Sequence, residues 1–428
     1  MKLPDYMSKA RIKKAIDEGQ LFTRIVKTIR RELQGIKLRI CDNIKYFFNK
    51  QIRDSYLNSL PVEDKILFCS CQGNYSDNPK YILEELIKQG KDYEVVWLCS
   101  KDALSDMGQF PSAVSKVVLW ETAEAYKELA TSKIIIVNSV ELFYRPFHKK
   151  DGQVIIETWH GSLGIKRFDR EVNPGVAWCD AGDNCAAVCD YLISNSDFED
   201  DIYRMSFWHT TPILKYGHPR CDIFFNTSDA EREAIKVKVL KACGYEYKGE
   251  NLFLYGPTFR ESHGFDCYDL DAQLISKAFE ERFGGKWIGL YRYHPNLRKI
   301  KGDLNSEYIV DVTSYIDMQE VALIADAGIS DYSSWLYDFV LTDRPAFIYA
   351  KDKDLYGFER GLAFELEETP FPIATDNQQM VENILSFDND NYQMRRKEFI
   401  TTRGSVEDGQ ASKRVVKKID EIMEVNFS

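Results

Sequence analysis

Two adjacent serines, Ser333 and Ser334, stand where a short buried strand is predicted to pass into an apolar helix. The strand covers Gly328–Ser330, and the helix begins close to Trp335. The first turn of a helix has unpaired backbone N–H groups and the positive end of the helix dipole, so a strand, a tight turn and a helix in this order can bind phosphate. Serine is also a common helix cap, and taken alone the pair is better explained by that ordinary role.

Two histidines occupy similar places after predicted strands. His160 follows the apolar strand Val154–Ile156 and precedes a glycine, a setting in which an imidazole can act as a general base in a cleft. A lone histidine of this kind is more often hydrogen-bonded within its own loop. Arg292 and His294 alternate along a segment that Pro295 keeps extended, so both side chains share a face. A guanidinium beside an imidazole suits an anionic ligand, and an arginine–carboxylate pair at the strand end is the alternative.

Two more predicted strands end in a proline turn followed by an arginine, and each is a weak signal alone. One carries Gly256-Pro257-Thr258-Phe259-Arg260, and the other carries Gly217-His218-Pro219-Arg220-Cys221-Asp222. The ten cysteines lack zinc-ligand spacing, and the sequence contains no P-loop, His-Glu-x-x-His or Gly-x-Ser-x-Gly motif. We therefore expect no metal site.

These residues need a scaffold that brings strand ends together, and the apolar pattern supplies one. Short apolar strands alternate with helical segments in the first half of the chain, and the alternation restarts at Leu252–Gly256. This pattern is typical of parallel, doubly wound sheets, in which ligands bind at the carboxyl ends of strands. We predict an α/β fold with two facing Rossmann-like domains, at residues 56–226 and 227–428, and a closing helix at the C-terminus.

Residues 1–55 form a separate, basic segment in this prediction. Residues 1–50 hold thirteen Lys and Arg against five Asp and Glu, a net charge of +8, whereas the whole chain of 428 residues carries −11. Apolar residues recur there at helical spacing, as in a helix that lies on an anionic membrane surface. A helix packed on the protein or on a partner fits nearly as well. The acidic remainder disfavours a nucleic-acid partner, and we expect neither a secretory signal nor a membrane span.

Taken together and in this order, the strand-end motifs resemble those of the CDP-glycerol glycerophosphotransferase family of teichoic-acid primases and polymerases. The resemblance covers roughly residues 60–410. The matching segments are Trp159-His160-Gly161, Gly217 to Asp222, Pro257 to Arg260, Arg292 to Pro295, Ser330 to Ser334 with Asp338-Phe339, and the loop from Gly73 to Asn78.

The resemblance implies a GT-B architecture, with an N-terminal acceptor domain and a C-terminal donor domain. It implies a transferase that moves glycerol phosphate or ribitol phosphate from a CDP-alditol to a hydroxyl of a lipid-linked or polymer acceptor, with release of CMP. It also implies a peripheral protein at the cytoplasmic face of the bacterial membrane. Because the sequence lacks metal-ligand motifs, we expect no cofactor.

Residue roles follow from the same resemblance. His160 and His294 are the expected catalytic pair, with His160 as the general base. The expected donor-phosphate ligands are Arg260, Arg292, Asp331, Ser333 and Ser334. Supporting motif residues are Gly161, Gly217, Pro219, Arg220, Asp222, Thr258 and Asp338.

One departure concerns the loop after His160, where Ser162-Leu163 replaces the Thr-Pro of many family members. The identity of the acceptor therefore stays open. The sequence also leaves open which alditol is transferred, whether transfer is single or repeated, whether the product is teichoic acid or capsule, and the oligomeric state, a homo-oligomer included.

Two alternative functions also remain. One is a GT-B glycosyltransferase that uses a nucleotide sugar, and the other is a membrane-tethered binding protein without activity.

Overall fold

Two parallel β-sheets organise the part of the chain that the computed structural model describes. The described residues are 55–144, 147–163, 167–168, 176–258, 268–293, 305–353 and 362–425. The chain divides into two units, Met1–Val62 and Glu63–Ser428. Residues 55–59 of the first unit are helical, and the predicted basic helix of residues 1–50 lies outside the described residues. Both sheets belong to the second unit.

The first sheet has seven strands in the order β3-β2-β1-β4-β5-β6-β7, and each neighbouring pair is parallel. Its strands are β1 (Glu63–Cys69), β2 (Glu94–Cys99), β3 (Lys116–Leu119), β4 (Ser132–Val137), β5 (Val154–Glu157), β6 (Tyr191–Ser194) and β7 (Ile213–Lys215). The central strands are buried on both faces, as parallel sheets require. Strand order reverses between β1 and β4, which is where such sheets bind ligands.

The second sheet has six strands in the order β10-β9-β8-β11-β12-β13, again all parallel. Its strands are β8 (Asn251–Tyr255), β9 (Trp287–Tyr291), β10 (Ile309–Asp311), β11 (Ala327–Ser330), β12 (Ala346–Tyr349) and β13 (Ile373–Ala374). Here the order reverses between β8 and β11. The loop after β11 carries the paired serines, so the sequence motif lies at the switch point of this sheet.

Helices cover both sheets. Five of the described helices lie between strands of the first sheet, and a sixth follows β7: α1 (Asp77–Lys88), α2 (Lys101–Leu104), α3 (Ala123–Thr131), α4 (Val176–Val188), α5 (Asp197–Ser206) and α6 (Ile223–Asn226). Those that follow are α7 (Asp229–Ala242), α8 (Ala272–Phe283), α9 (Met318–Ile324), α10 (Trp335–Phe339), α11 (Asn377–Leu385), α12 (Asn389–Thr402) and α13 (Ala411–Glu424). Single 3-10 turns occur at Cys71–Gly73, Met107–Gln109, Val140–Phe143, Pro219–Asp222 and Leu366–Glu368.

The last helix, α13, returns to the first sheet. Val415, Val416 and Ile419 are fully buried and belong to the same apolar cluster as Ile66 of β1 and Ile82 of α1. Alternate residues of β1, among them Leu67, face the opposite cluster under α3 and α4. A helix that follows the second sheet in sequence therefore completes the core of the first. The predicted α/β fold with two parallel sheets is confirmed, while the predicted domain boundaries stay a prediction.

Candidate active site

The loop after β5 carries His160 in a strained backbone. Trp159 has a φ of 51°, in the left-handed region that few non-glycine residues adopt. Its N–H donates to the carboxylate of Glu157 at 2.8 Å, and Glu157 is fully buried. Burial raises the pKa of Glu157 to about 7. A Cβ on Gly161 would lie 3.1 Å from Nε1 of Trp159, so glycine suits this tight turn.

His160 is exposed, and its ring has a defined hydrogen bond. Nδ1 lies 2.7 Å from the carbonyl oxygen of Asn138, which follows β4. A carbonyl oxygen only accepts hydrogen bonds, so in the neutral imidazole Nδ1 carries the proton and the lone pair lies on Nε2. The ring also packs on Trp159, with 4.4 Å between ring centroids. A neutral imidazole held in this way can take a proton from a hydroxyl group at Nε2.

Arg220 lies beneath this loop and is 1% exposed. Its Nη2 donates to the carbonyl oxygen of Gly161 at 2.7 Å, and its Nη1 donates to Asp77 at 3.2 Å. Its Nε donates to Asp338 at 2.9 Å. The arginine of one predicted motif thus contacts the histidine loop of a second and the aspartate of a third.

The segment after β11 carries Asp331 and the paired serines. Both Asp331 oxygens accept the N–H of Thr258, at 2.9 and 3.0 Å, so this buried carboxylate joins the ends of β11 and β8. Ser333 and Ser334 are half-buried, and Ser334 precedes the five-residue helix α10 without a side-chain capping bond. The side chain of Ser334 therefore does not cap α10. Asp331 acts as a support in this geometry, and its phosphate-binding role stays a prediction.

The guanidinium group of Arg292 is hydrogen-bonded to backbone carbonyl groups. It donates to the carbonyl oxygens of Val312 at 3.2 Å, Ile316 at 3.3 Å and Tyr315. Burial lowers the pKa of Arg292. The side chain braces the loop after β10, and phosphate binding by Arg292 remains a prediction.

The predicted residues Arg260 and His294 lie outside the described residues, so their roles stay predictions. The other supporting residues shape turns. Gly217 has a φ of 85°, and a Cβ there would lie 2.9 Å from the carboxylate of Glu407. Pro219 opens the 3-10 turn Pro219–Asp222, and Asp222 accepts the N–H groups of Ala411 at 3.0 Å and Ser412 at 2.7 Å. Asp222 therefore caps α13.

Sequence reasoning missed two residues that hold the site together. The carbonyl of Asn138 fixes the imidazole of His160, and Lys80 of α1 binds Asp317, the N-cap of α9, and Glu320 within that helix. Neither has a sequence signal, because a backbone acceptor can be any residue and a lysine within a helix is usually solvated. Within the described ranges, no group of three or more His, Cys, Asp or Glu side chains is arranged to hold a metal ion. The same ranges contain no helix with the length and apolar character to span a membrane.

Comparisons with known proteins show which family the chain resembles. The family model described as CDP-glycerol:poly(glycerophosphate) glycerophosphotransferase matches residues 55–421. The teichoic acid poly(glycerol phosphate) polymerase of Staphylococcus epidermidis is 29% identical over 81% of this chain. The teichoic acid glycerol-phosphate transferase of Staphylococcus aureus is 26% identical over 85%. This chain spans 49% of the first relative and 94% of the second.

Solved structures agree with these relatives. The wall teichoic acid polymerase TagF superimposes with a TM-score of 0.73 and 25% identity, over 93% of this chain and 98% of that chain. A histidine variant of TagF soaked with CDPG gives a TM-score of 0.75 and 26% identity with the same coverage. The two-sheet fold is therefore the GT-B-like fold of TagF, and the family resemblance of the strand-end motifs is confirmed. The chain belongs to the CDP-glycerol:poly(glycerophosphate) glycerophosphotransferase family.

Proposed function

We propose that this chain transfers an alditol phosphate from a CDP-alditol to a hydroxyl group of a lipid-linked or polymer acceptor, in the synthesis of teichoic acid or a related cell-surface phosphopolymer. The observation that carries the proposal is the position of His160 in a member of this family. Its Nε2, which has the lone pair in the neutral ring, lies at the carboxyl edge of the first sheet. Relatives are polymerases and primases for both glycerol phosphate and ribitol phosphate. The alditol is therefore left open.

In the proposed reaction, the acceptor hydroxyl gives its proton to Nε2 of His160 as its oxygen attacks the alditol-bearing phosphorus. The new P–O bond forms, the bond to the bridging oxygen breaks, and CMP leaves. Such transfers depend on positioning and on stabilised charge at the phosphate oxygens. Ser333, Ser334, Arg260 and His294 are the proposed donor ligands, and Arg292 would have to exchange a carbonyl for a phosphate oxygen.

A donor screen tests this proposal. Full-length protein is incubated with CDP-glycerol, CDP-ribitol or a UDP-sugar and a polyprenyl-linked or glycerol-phosphate acceptor, with and without EDTA. We expect CMP release from a CDP-alditol, extension of the acceptor by mass spectrometry, and little effect of EDTA, since the proposed site uses no metal. UDP release from the UDP-sugar instead would indicate the glycosyltransferase alternative. Absence of cytidine nucleotide binding together with absence of UDP release would indicate a non-enzymatic protein.

We further propose a peripheral location at the cytoplasmic face of the membrane, supported by the charge of +8 on residues 1–50. Deletion of residues 1–50 should abolish co-sedimentation with vesicles that contain anionic phosphatidylglycerol, while turnover of a soluble acceptor analogue persists. Zwitterionic phosphatidylcholine vesicles are the control and should bind neither protein. Equal sedimentation of both proteins with anionic vesicles would contradict this location.

A further inference from the structure

Arg220 makes more hydrogen bonds within the candidate site than a role in catalysis alone would explain. Besides its side-chain bonds, its backbone N–H donates to Oδ1 of Asn78 at 3.1 Å. Nδ2 of the same asparagine donates to the carbonyl oxygens of Thr158 and Trp159, both at 3.0 Å. Asn78 is fully buried. The backbone and the guanidinium of Arg220 are thus tied independently to the loop that carries His160.

The other end of the arginine is tied to the segment of the paired serines. Asp338 lies in α10, directly beyond Ser334, and is 3% exposed. It accepts from Nε of Arg220 at 2.9 Å and from Nη2 at 3.3 Å, and also from Nε2 of Gln319 at 3.2 Å. A carboxylate with this many donors has little freedom to move. The position of α10 relative to Arg220 is therefore fixed.

Stability alone does not account for this arrangement. Burial would lower the pKa of Arg220, but the charges of Asp338 and Asp77 raise it well above its usual range, so the guanidinium is always charged. Buried ion pairs often add little net stability, because desolvation offsets their attraction. What a planar guanidinium adds is geometry, since its donors point in fixed directions at two loops from different sheets.

We propose that Arg220 is a positioning residue for the phosphoryl transfer, which sets the distance between the general base His160 and the serine segment after β11. This inference rests on the proposed function, because it assigns Arg220 a role in that same reaction. A lysine would keep the charge but replace the planar fork with a single ammonium, so it could not hold Gly161 and Asp338 at once. The expected signature is a lower kcat with an almost unchanged KM for the donor.

The test compares Arg220→Lys with Arg396→Lys in the full-length protein. Arg396 is a matched control, because it is 8% exposed and donates to Gln393, the carbonyl of Val340 and Asp343, away from the histidine loop. For Arg220→Lys we expect kcat of CMP release to fall about 10- to 100-fold, with donor KM within about threefold of wild type. Arg396→Lys should keep kcat within about twofold while losing comparable thermal stability.

Hydrogen–deuterium exchange adds a readout that does not need activity. Peptides that cover residues 157–163 should exchange faster in Arg220→Lys than in wild type. Their exchange rate in Arg396→Lys should equal that of wild type. If the wild-type protein released no CMP, the proposed function would fall, and faster exchange in this loop would still support the coupling. Equal kcat and equal exchange in the two variants would overturn the positioning role.

Discussion

Replacement of His160 by asparagine should lower kcat for CMP release by about 100- to 10,000-fold, the range that general-base catalysis usually contributes. The amide nitrogen of asparagine can replace Nδ1 as the donor to the carbonyl of Asn138, a bond of 2.7 Å in the wild-type protein. The loop should therefore keep its fold. What the variant lacks is the Nε2 lone pair that accepts the proton of the acceptor hydroxyl.

His209 offers a matched control for this substitution. Its Nδ1 also lies against a backbone carbonyl, that of Arg204 at 2.6 Å, and its side chain is exposed. His209→Asn should change kcat by less than about twofold, since exposed residues away from a site have small effects. If His160→Asn kept the wild-type kcat, or if both variants lost equal activity, His160 would not be the base.

Replacement of Lys80 by methionine should lower the free energy of unfolding by about 3–5 kcal/mol, the cost of removing one partner from a buried ion pair. Lys80 is 6% exposed, and its Nζ binds Asp317 and, at 3.0 Å, Glu320. Tyr81 also donates to Asp317, at 3.1 Å. Methionine fills a similar volume but leaves the buried Asp317, the N-cap of α9, without its cation, and leaves Glu320 with the exposed Lys238 as its remaining cation. Urea denaturation at pH 7 measures the loss.

The pH dependence of this loss has a definite sign. Burial alone would raise the pKa of Glu320, but the charge of Lys80, together with hydrogen bonds from Lys238 and Tyr315, lowers it to about 2 in the folded protein. A carboxyl group with a lowered folded pKa stabilises the fold above its unfolded pKa, and that contribution disappears as pH falls towards the folded value. The difference between wild type and Lys80→Met should therefore be constant from about pH 6 to 9 and shrink below about pH 4.

Lys413 is the control for the loss of a lysine. It is exposed on α13 and binds Gln410 at 2.8 Å. Lys413→Met should change the free energy of unfolding by less than about 0.5 kcal/mol at any pH. A pH-independent loss in Lys80→Met would show that packing, not charge, explains the effect of Lys80.

The sheets and their strand ends could be predicted because local patterns encode them. Trp287–Tyr291 and Ile309–Asp311 have the bounds that their apolar runs predict. The pattern did not predict β6 and β7, which have four and three residues. Runs of three or four residues contain little alternation, so the apolar pattern finds some of them, such as Ile309–Asp311, and misses others that only their neighbours in the sheet define.

The contacts within the site could not be predicted from one sequence. Arg220 is separated from Asp77, Gly161 and Asp338 by 143, 59 and 118 residues. No local propensity encodes a hydrogen bond over such separations. The motifs showed which residues stand at strand ends, and only the topology of the two sheets shows which ends meet. Roles for Arg260 and His294 stay predictions because the described residues exclude them.

The packing of α13 on the first sheet also determines when the core of that sheet can be completed during synthesis. Domains generally fold as units and from the N-terminus while the chain is made. Here the apolar face formed by Ile66, Phe68 and Ile82 is covered by Val415 and Ile419, which are translated after the whole second sheet. The first sheet therefore stays incomplete while the whole second sheet is synthesised, and the nascent protein has an open apolar surface until α13 has emerged from the ribosome.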